Sequence, residues 1–336
     1  MSQDTQTKLD AILHGAAVAS LDDRAFLRVT GSDATRWLNG MVTNSVQALQ
    51  PGEGCYAFLL NAQGRILGDC TIYREIDPAE PASFLLQTAT SQLQTVQQHL
   101  DHFIIMDDVE LTPAFADETS LLILGPDAPA RLNAIGLPAP DALRLVHADS
   151  PHGPVLLLTP HATAFELRAD TATISGIVAD LRSTGVSEIS TEALEVLRLL
   201  EGRPLYGRDI TEKYLPQETN QPQALHFNKG CYLGQEIVER IRSRGQVHRL
   251  LTPLTLTGNL PTDFPTPLEA DGKPVGEITS AALVPLPGGD QLLALGYVRR
   301  EALDTHATLT YPGGTAAPRT EVKAAAVASN QLISNP

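Results

Sequence analysis

The sequence predicts an α+β fold that ends in a small all-β barrel. Strand patterns outnumber long helical patterns, and hairpin signals recur between the strands, which disfavours a doubly wound parallel sheet. After about residue 246 the helix signals fade, and short β-type runs alternate with turns that contain Pro or Gly, as is typical of a small barrel. We therefore expect two parts, residues 1–245 and residues 246–330.

The first elements are expected to be strands that alternate with amphipathic helices. Residues 21–29 alternate as a strand, and Ser32 is placed to cap a helix with Trp37 on its apolar face. Trp37 is therefore expected in the core. The other elements predicted here are a strand over 55–60, a turn over 61–64, strands over 65–73 and 84–87, a helix capped by Thr90 and a strand over 104–111.

The middle of the chain repeats this mixture, whereas the end contains strand patterns alone. Ser190 or Thr191 caps a helix that Gly202 and Pro204 end. The other elements predicted in the middle are strands over 121–124, 155–159 and 165–168 and helices over 126–135 and 172–181. The barrel strands are predicted over 250–256, 275–279, 292–298 and 307–311.

Composition and charge argue against several classes of protein. Lys and Arg number 24 against 39 Asp and Glu, a net charge of −15 that repels nucleic acid and anionic lipid. Cys55, Cys70 and Cys231 show no CxxC or Cys/His spacing, which argues against a structural zinc or a disulfide scaffold. The N-terminus is polar and no apolar run reaches about 18 residues. We expect a cytoplasmic protein with no membrane partner.

One segment carries a pattern that points to chemistry, and Cys231 stands at its centre. Lys229 precedes the cysteine by two residues, two glycines flank it, and a helix is expected to begin just after it. A helix dipole and an ammonium group would both stabilise a thiolate at this position. The alternative is a buried structural thiol, which is how Cys55 and Cys70 are interpreted, since both lie in apolar strands.

The same segment is a local exception to the acidic charge of the chain. Between residues 226 and 250, five basic residues face two acidic ones. This basic strip predicts an anion site for a phosphate, a polyglutamate tail or an RNA backbone, or else a solvated helix face with Glu236 paired to Arg240. Aromatic residues do not alternate with the cations, which disfavours RNA. The basic strip consists of Lys229, Arg240, Arg242, Arg244 and Arg249.

A family resemblance becomes visible at these residues. The segment KGCYLGQE, residues 229–236, resembles the K-G-C-Y-x-G-Q-E signature of the YgfZ family, a folate-binding branch of the glycine-cleavage T-protein (aminomethyltransferase) superfamily. Residues 216–220 resemble its P-Q-x-x-N element, and residues 202–209 its G-x-P…G-x-D turn. Further matches follow in the same order over nearly the whole chain, from RVTGSD at 28–33 to LGYV at 295–298.

The resemblance implies a fold, a ligand and a role. The fold would be an aminomethyltransferase-like folate-binding lobe of two α+β subdomains, followed by a small C-terminal β-barrel, arranged around a central hole. The ligand would be tetrahydrofolate or another folate derivative. The role would be folate-dependent assembly or repair of iron–sulfur enzymes, including tRNA-modifying ones, as transient partners. No stable nucleic-acid partner is expected.

The resemblance also suggests which residues act. Cys231, Lys229 and Asp69 are the candidate catalytic residues; Asp69 is alternatively a hydrogen-bonding anchor. Glu166 would face the pterin, or else be an exposed strand glutamate paired across to a basic residue. Gln217 and Asn220 would bind a polar ligand, or else serve the turn that contains them. The full set of candidate folate-binding residues is Glu166, Gln217, Asn220, Tyr232, Gln235 and Arg240.

The sequence departs from the superfamily pattern at three places. The enzyme carries paired aspartates where this chain has Gly68 and Asp69, and Leu200 aligns with an enzyme glutamate. Arg24 and Leu194 stand where some relatives place tryptophans against the pterin. The lost carboxylates favour the accessory role over a folate-dependent aminomethyl or one-carbon transferase. An RNA-binding module that uses the basic strip is the third hypothesis.

Overall fold

The computed structural model of the protein describes residues 3–76, 82–286 and 288–319, and for residues 3–8 and 244 it describes the backbone alone. Its helices are α1 Gln3–His14, α2 Ala34–Met41, α3 Leu93–His102, α4 Ala128–Ala134, α5 Thr171–Ser183, α6 Thr191–Leu200, α7 Gln235–Arg244 and α8 Arg300–Asp304. Its first strands are β1 Ala17–Ser20, β2 Arg24–Thr30, β3 Gly54–Leu60, β4 Ile66–Arg74, β5 Phe84–Ala89, β6 Glu110–Ala114, β7 Thr119–Leu124, β8 Arg144–Ser150, β9 Gly153–His161, β10 Ala164–Ala169 and β11 Ser187–Glu188. The remaining strands are β12 Arg249–Gly258, β13 Thr266–Ala270, β14 Lys273–Leu286, β15 Gly289–Arg299, β16 Leu309–Tyr311 and β17 Gly314–Pro318.

The first unit is an antiparallel sheet in the order β3-β4-β5-β2-β6, with α2 and α3 packed on one face. Buried and partly exposed residues alternate along most of β4, so one of its faces enters the helical core and the other faces away. Trp37 is only 6% exposed and lies in this core, where its Nε1 donates to the Phe103 carbonyl at 3.2 Å. The prediction that Trp37 is a core residue is confirmed.

The second unit is a sheet in the order β11-β1-β7-β10-β9-β8. Helices α4 and α5 cover one of its faces through Leu132, Ile177 and Leu181. The other face is partly covered by α1, α6 and the barrel, which share one apolar cluster with Leu124 and Ala164 of the sheet. Because the second face is only partly covered, the rest of it can line a space between this sheet and its neighbours.

The C-terminal unit is a closed barrel in the order β12-β15-β14-β13-β16-β17. Asp209, fully buried in the loop after α6, joins this barrel to the second unit. Its carboxylate accepts hydrogen bonds from Arg198 of α6 at 2.6 Å and from Ser280 of β14 at 2.7 Å. Its carbonyl accepts from Tyr297 of β15 at 2.9 Å. The buried charge pair therefore fixes how the barrel meets the rest of the chain.

The predicted fold class is confirmed: two α+β units are followed by a small β-barrel. The strand predicted over 104–111 is wrong, because β6 begins only at Glu110 and a loop precedes it. Asp108 accepts from the backbone and hydroxyl of Ser32 at 3.1 and 2.7 Å, which fixes the loop against the start of α2. Every helix in the described ranges is too short or too polar to cross a membrane.

Candidate functional site

A cavity of about 720 Å³ lies where the two sheets, the loop after α6 and the barrel meet. Cavities that bind drug-sized organic ligands fall in the range of about 300–1,000 Å³. Its walls include Tyr56 and Gln87 of the first sheet, Glu166 of the second sheet and Leu295 of the barrel. The site is therefore formed by residues that are far apart in the sequence.

The first sheet contributes a polar wall. Tyr56 pairs with Thr71, and Thr71 pairs with Gln87, so these side chains share one face of the sheet, as does Asp69 two residues before Thr71. Asp69 accepts a hydrogen bond from the Tyr56 hydroxyl at 2.6 Å and another from Gln92 Nε2 at 3.1 Å. Burial and the neighbouring Asp69 raise the pKa of Tyr56 well above its ordinary value, so the phenol stays neutral and donates.

The second sheet contributes a buried carboxylate. Glu166, only 1% exposed, accepts hydrogen bonds from Gln87 Nε2 and, at 3.0 Å, from Ser120 Oγ. Burial raises the pKa of Glu166, and nearby Arg24 opposes that shift most strongly. Arg168 lies 3.7 Å away. The carboxylate thus stands on the cavity wall in reach of two neutral donors and two guanidinium groups.

A third polar group lies near the second sheet and the loop after α6. His161 ends β9, Glu201 follows α6, and Arg203 donates from Nε to the Glu201 carboxylate; all three line the cavity. Burial, and then the charge of Arg203, lowers the pKa of His161 to about 3, so its imidazole is neutral. Its Nδ1 is buried and has no hydrogen-bond partner among the described residues. The imidazole is therefore a neutral, buried part of the cavity wall.

Sequence reasoning did not identify these last residues as site residues. His161 ends a strand without any motif around it, and only its burial in the folded chain marks it. Glu201 directly follows Leu200, the residue aligned with an enzyme glutamate. A carboxylate one position later is the feature of the sequence that could have indicated Glu201 as a site residue. Arg203 belongs to the quoted G-R-P element, which the sequence indicates only as a turn.

The predicted site residues fall into two groups. Asp69, Glu166 and Asn220 line the cavity. The other six are absent from the described part of its lining: Cys231, Lys229, Gln217, Tyr232, Gln235 and Arg240. Asn220 is exposed at the rim and adopts a left-handed backbone conformation with φ 55°, at the end of a short 3-10 turn, Pro216–Thr219.

The surroundings of Lys229 differ from the prediction that it lies beside the Cys231 thiol. Its Nζ donates to the backbone carbonyls of Asn39 and Val42 at 2.6 Å each and of Asn44 at 2.5 Å. These bonds use all three hydrogens of an ammonium. Burial lowers the pKa of Lys229 to about 7. In the described hydrogen bonds, the partners of this amine are therefore carbonyls and not the Cys231 thiol.

Cys231 is exposed, whereas Cys55 and Cys70 are buried. Burial raises the pKa of Cys55 to about 12 and that of Cys70 well above its ordinary value, so both thiols are inert, as predicted for structural cysteines. The helix expected just after Cys231 begins only at Gln235, after Gly234. Gly234, and not Cys231, therefore stands at the N-terminus of this helix.

Three of the remaining predicted ligand residues have structural partners instead. Gln217 Nε2 donates to the Val238 carbonyl of α7 at 2.9 Å. Gln235 Oε1 accepts from the backbone N–H of Tyr232 at 3.3 Å. Tyr232 itself is 8% exposed and packs in an apolar cluster with Phe58. These side chains hold α7 and the segment before it in place, which is the ordinary turn chemistry considered for Gln217.

The basic strip does not form one continuous surface. Arg249 binds Glu218 at 2.9 Å and lies 4.9 Å from the centre of the Tyr214 ring, while Lys229 points into backbone carbonyls. Arg242 lies 3.6 Å from Glu239 and over the Phe227 ring. Arg240 is exposed on α7, and the side chain of Arg244 lies outside the described residues. Most of the described cations in the strip have intramolecular partners, which removes support for RNA recognition.

Metal ligation has no support in the described part of the chain, where no group of three or more His, Cys, Asp or Glu side chains is placed to hold an ion. The cavity instead offers hydrogen-bonding groups along with apolar side chains such as Leu122, Leu124 and Leu295. That combination suits an organic ligand with a flat ring and polar edges.

Comparison with known proteins agrees with this geometry. Residues 1–147 match the family described as the GCVT N-terminal domain. An aminomethyltransferase of Rippkaea orientalis is 27% identical over 285 residues, 80% of this chain and 74% of that protein. The human iron-sulfur cluster assembly factor IBA57, mitochondrial, is 29% identical over 286 residues, 78% of this chain and 74% of its own length. The chain is thus similar to both relatives over about four fifths of its length.

A solved structure shows the same fold over nearly the whole molecule. The crystal structure of glycine cleavage system aminomethyltransferase T from Bartonella henselae matches with a TM-score of 0.80, covering 94% of this chain and 88% of that one at 18% identity. The fold is therefore aminomethyltransferase-like. Arg24 and Leu194, which the resemblance aligns with tryptophans, both line the cavity. Any stacking on a ring there would come from Arg24.

Proposed function

We propose that this protein binds a reduced folate in the cavity and supports assembly or repair of iron–sulfur enzymes, as a member of the YgfZ branch. The single observation that supports a folate ligand is the position of Glu166, a buried carboxylate on the cavity wall that accepts hydrogen bonds from Gln87 and Ser120. A pterin presents a ring N–H and an amino group side by side, and a carboxylate is the matching acceptor.

The residues present fit such a ligand. Glu166 and Gln87 would meet the polar edge of the ring, and the neutral imidazole of His161 forms a further part of the same cavity wall. Leu122 and Leu295 add apolar contacts. When bound, a tetrahydrofolate supplies nitrogen atoms that carry one-carbon units, while the protein supplies binding and orientation.

The names of two relatives support both halves of the proposal. The bacterial relative is named an aminomethyltransferase and the human one an iron-sulfur cluster assembly factor. The accessible Cys231 provides a thiol at the surface, outside the described lining of the cavity, where a client protein can reach it. We propose that iron–sulfur enzymes, including tRNA-modifying ones, are these clients and that the protein acts in the cytoplasm.

Calorimetry with 5-formyltetrahydrofolate tests the ligand. In Glu166→Gln an amide N–H₂ would replace an acceptor oxygen and oppose the pterin donors, so we expect about ten-fold weaker binding or more, ~1.4 kcal/mol. Glu269→Gln, an exposed position on β13, is the matched control and should bind like the wild type. Equal affinity of the Glu166 variant and the wild type would remove the basis for placing a pterin here.

A complementation assay tests the role of the thiol. In cells that lack the gene, wild-type protein should restore iron–sulfur enzyme activity and tRNA thiolation, and Cys231→Ala should not, although it folds and binds folate like the wild type. Cys55→Ala is a control for the loss of a thiol as such. Full restoration by Cys231→Ala would refute a role for this cysteine.

A folate-dependent transferase is the second candidate, and the position of Asp69 favours it. This carboxylate lines the cavity and is held by Tyr56 and Gln92, so it could bind or deprotonate an amine donor. Purified protein with tetrahydrofolate would then convert an aminomethyl donor to methylenetetrahydrofolate with release of ammonia, or move the methyl group of an N-methyl donor to tetrahydrofolate with release of the demethylated amine. Asp69→Asn would abolish this turnover. Absence of turnover with both donor types leaves the accessory role.

A further inference from the structure

The amine of Lys229 occupies a cage made of backbone carbonyls. The carbonyl oxygens of Asn39, Val42 and Asn44 lie 2.5–2.6 Å from Nζ. Among the described residues, the partners of Lys229 are these carbonyls and not a carboxylate. Such a cage resembles the oxygen sites that bind small monovalent cations, so the protonated form of Lys229 acts as a cation tethered to the chain.

The cage connects two segments that are far apart in the sequence, since Lys229 and Asn39 are separated by 190 residues. Backbone bonds lie on both sides of it. The N–H of His226 donates to the Thr43 carbonyl at 3.0 Å, and the N–H of Leu233 donates to the Gly40 carbonyl at 3.0 Å. The segment 226–233 therefore lies along residues 39–44, with Lys229 inserted near its middle and Cys231 exposed two residues later.

The same anchor reaches the cavity wall. Asn44, whose carbonyl accepts from Lys229, donates from Nδ2 to the carbonyl of Tyr56 at 2.9 Å and to that of Gln223 at 2.8 Å. Tyr56 and Gln223 both line the cavity. The position of the thiol segment is thus defined relative to the cavity through one asparagine.

We propose that Lys229 is a positioning residue, which fixes the Cys231 turn by filling this carbonyl cage and does not activate the thiol. The purpose of that positioning rests on the proposed function, but the cage itself does not. A compact ammonium fits three converging carbonyls, whereas the planar guanidinium of arginine presents its donors in a fork that does not. An apolar side chain would leave three carbonyls without donors.

Two measurements on Lys229→Met distinguish positioning from activation. Hydrogen exchange at the amides of His226 and Leu233 should accelerate about ten-fold or more, while the amides of β15 stay protected. Alkylation by iodoacetamide reports Cys231 selectively because Cys55 and Cys70 are buried. The pH at which alkylation reaches half its maximal rate should be the same as in the wild type. Lys273→Met, at an exposed position of β14, is the control.

Chemical rescue provides a second, independent readout. In Lys229→Ala, millimolar propylammonium should refill the cage and restore slow exchange at His226 and Leu233, whereas guanidinium should not. Lys229→Arg should exchange fast with either additive. If Lys229→Met fails to fold, the alanine variant refolded with and without propylammonium answers the same question.

Two outcomes would overturn the proposal. Unchanged exchange at both amides would show that the cage does not hold the segment. A half-maximal pH of alkylation that rises by about one unit, ten-fold in thiolate population at a given pH, would show that Lys229 acts on the thiol electrostatically. Neither assay contains folate or a client enzyme, so both remain informative if the proposed function fails.

Discussion

Gln87 of the first sheet donates a hydrogen bond directly to Glu166 of the second sheet, so one bond spans the boundary between the two α+β units. Both side chains line the cavity, and both are at least 93% buried, with exposed fractions of 7% and 1%. A ligand that binds Glu166 must therefore compete with or extend this bond. The contact makes the cavity responsive to how the two units sit against each other.

The protonation of Glu166 should appear in the pH dependence of stability. Burial raises its pKa above the ordinary 4.5, so between 4.5 and the raised value the folded state keeps a proton that the unfolded state has released. The free energy of unfolding should therefore fall as the pH rises through that window. Glu166→Gln lacks this contribution. We expect the wild type to lose stability relative to the variant as the pH rises above about 4.5.

Urea unfolding at a series of pH values measures this difference. The same series on Glu269→Gln, whose carboxylate is exposed, should run parallel to the wild type. A gap between wild type and Glu166→Gln that stays constant or widens in favour of the wild type as the pH rises would contradict the raised pKa.

The sequence predicts the fold well because local periodicity reflects burial. The alternation along β4 and the apolar face of α2 both follow from which side chains enter the first core, and both elements form where predicted. The predicted cap of α2 is wrong, because Asp33 occupies the N-cap position and the Ser32 hydroxyl donates to Asp108 instead. The strand predicted over 104–111 is wrong because the prediction assumes that apolar residues are buried, and two of them here are not. Ile105 and Met106 are apolar, but they are 82% and 94% exposed. They lie in the loop that Asp108 fixes against the start of α2 through Ser32.

The candidate site is harder to predict because its residues converge only after folding. Gln87 and Glu166 are 79 residues apart, and no motif connects them. Conversely, Lys229 and Cys231 are only two residues apart in the sequence, yet the described hydrogen bonds of the lysine are to backbone carbonyls within residues 39–44. Sequence proximity indicates that two groups can interact, but the backbone direction at each residue decides whether they do.

The joint between α6 and the barrel should dominate the stability of the second half of the chain. Asp209 is fully buried and accepts from Arg198, Thr279 and Ser280. Asp209→Ala would leave the Arg198 guanidinium buried without this partner, which we expect to cost about 3–5 kcal/mol in free energy of unfolding. Urea denaturation followed by fluorescence measures it.

Asp304→Asn is the control for this prediction because Asp304 is exposed in α8, and its effect should stay within about 0.5 kcal/mol. A cost for Asp209→Ala that is no larger than for the control would show that the carboxylate does not hold the joint. A second, milder variant, Asp209→Asn, keeps one acceptor oxygen and should fall between the two.

The two glycines that flank Cys231 should differ sharply in their tolerance of alanine. Gly234 has φ +80°, and a Cβ there would lie 2.7 Å from the Asn61 carbonyl oxygen and 3.0 Å from the Leu60 Cβ. Gly230 has open space around the same position and needs no left-handed backbone. We expect Gly234→Ala to cost at least about 1–2 kcal/mol, since the left-handed penalty alone is of that size.

Gly230→Ala serves as the matched control, within about 0.5 kcal/mol of the wild type. The physical reason is that the turn over 61–64 packs against the start of α7: a Cβ on Gly64 would in turn lie 2.8 Å from the Ile237 Cβ. Replacing Gly234 must therefore push α7 away from the first sheet, and the amides of α7 should exchange faster in that variant alone. Equal stability of the two alanine variants would show that this close approach does not form in solution.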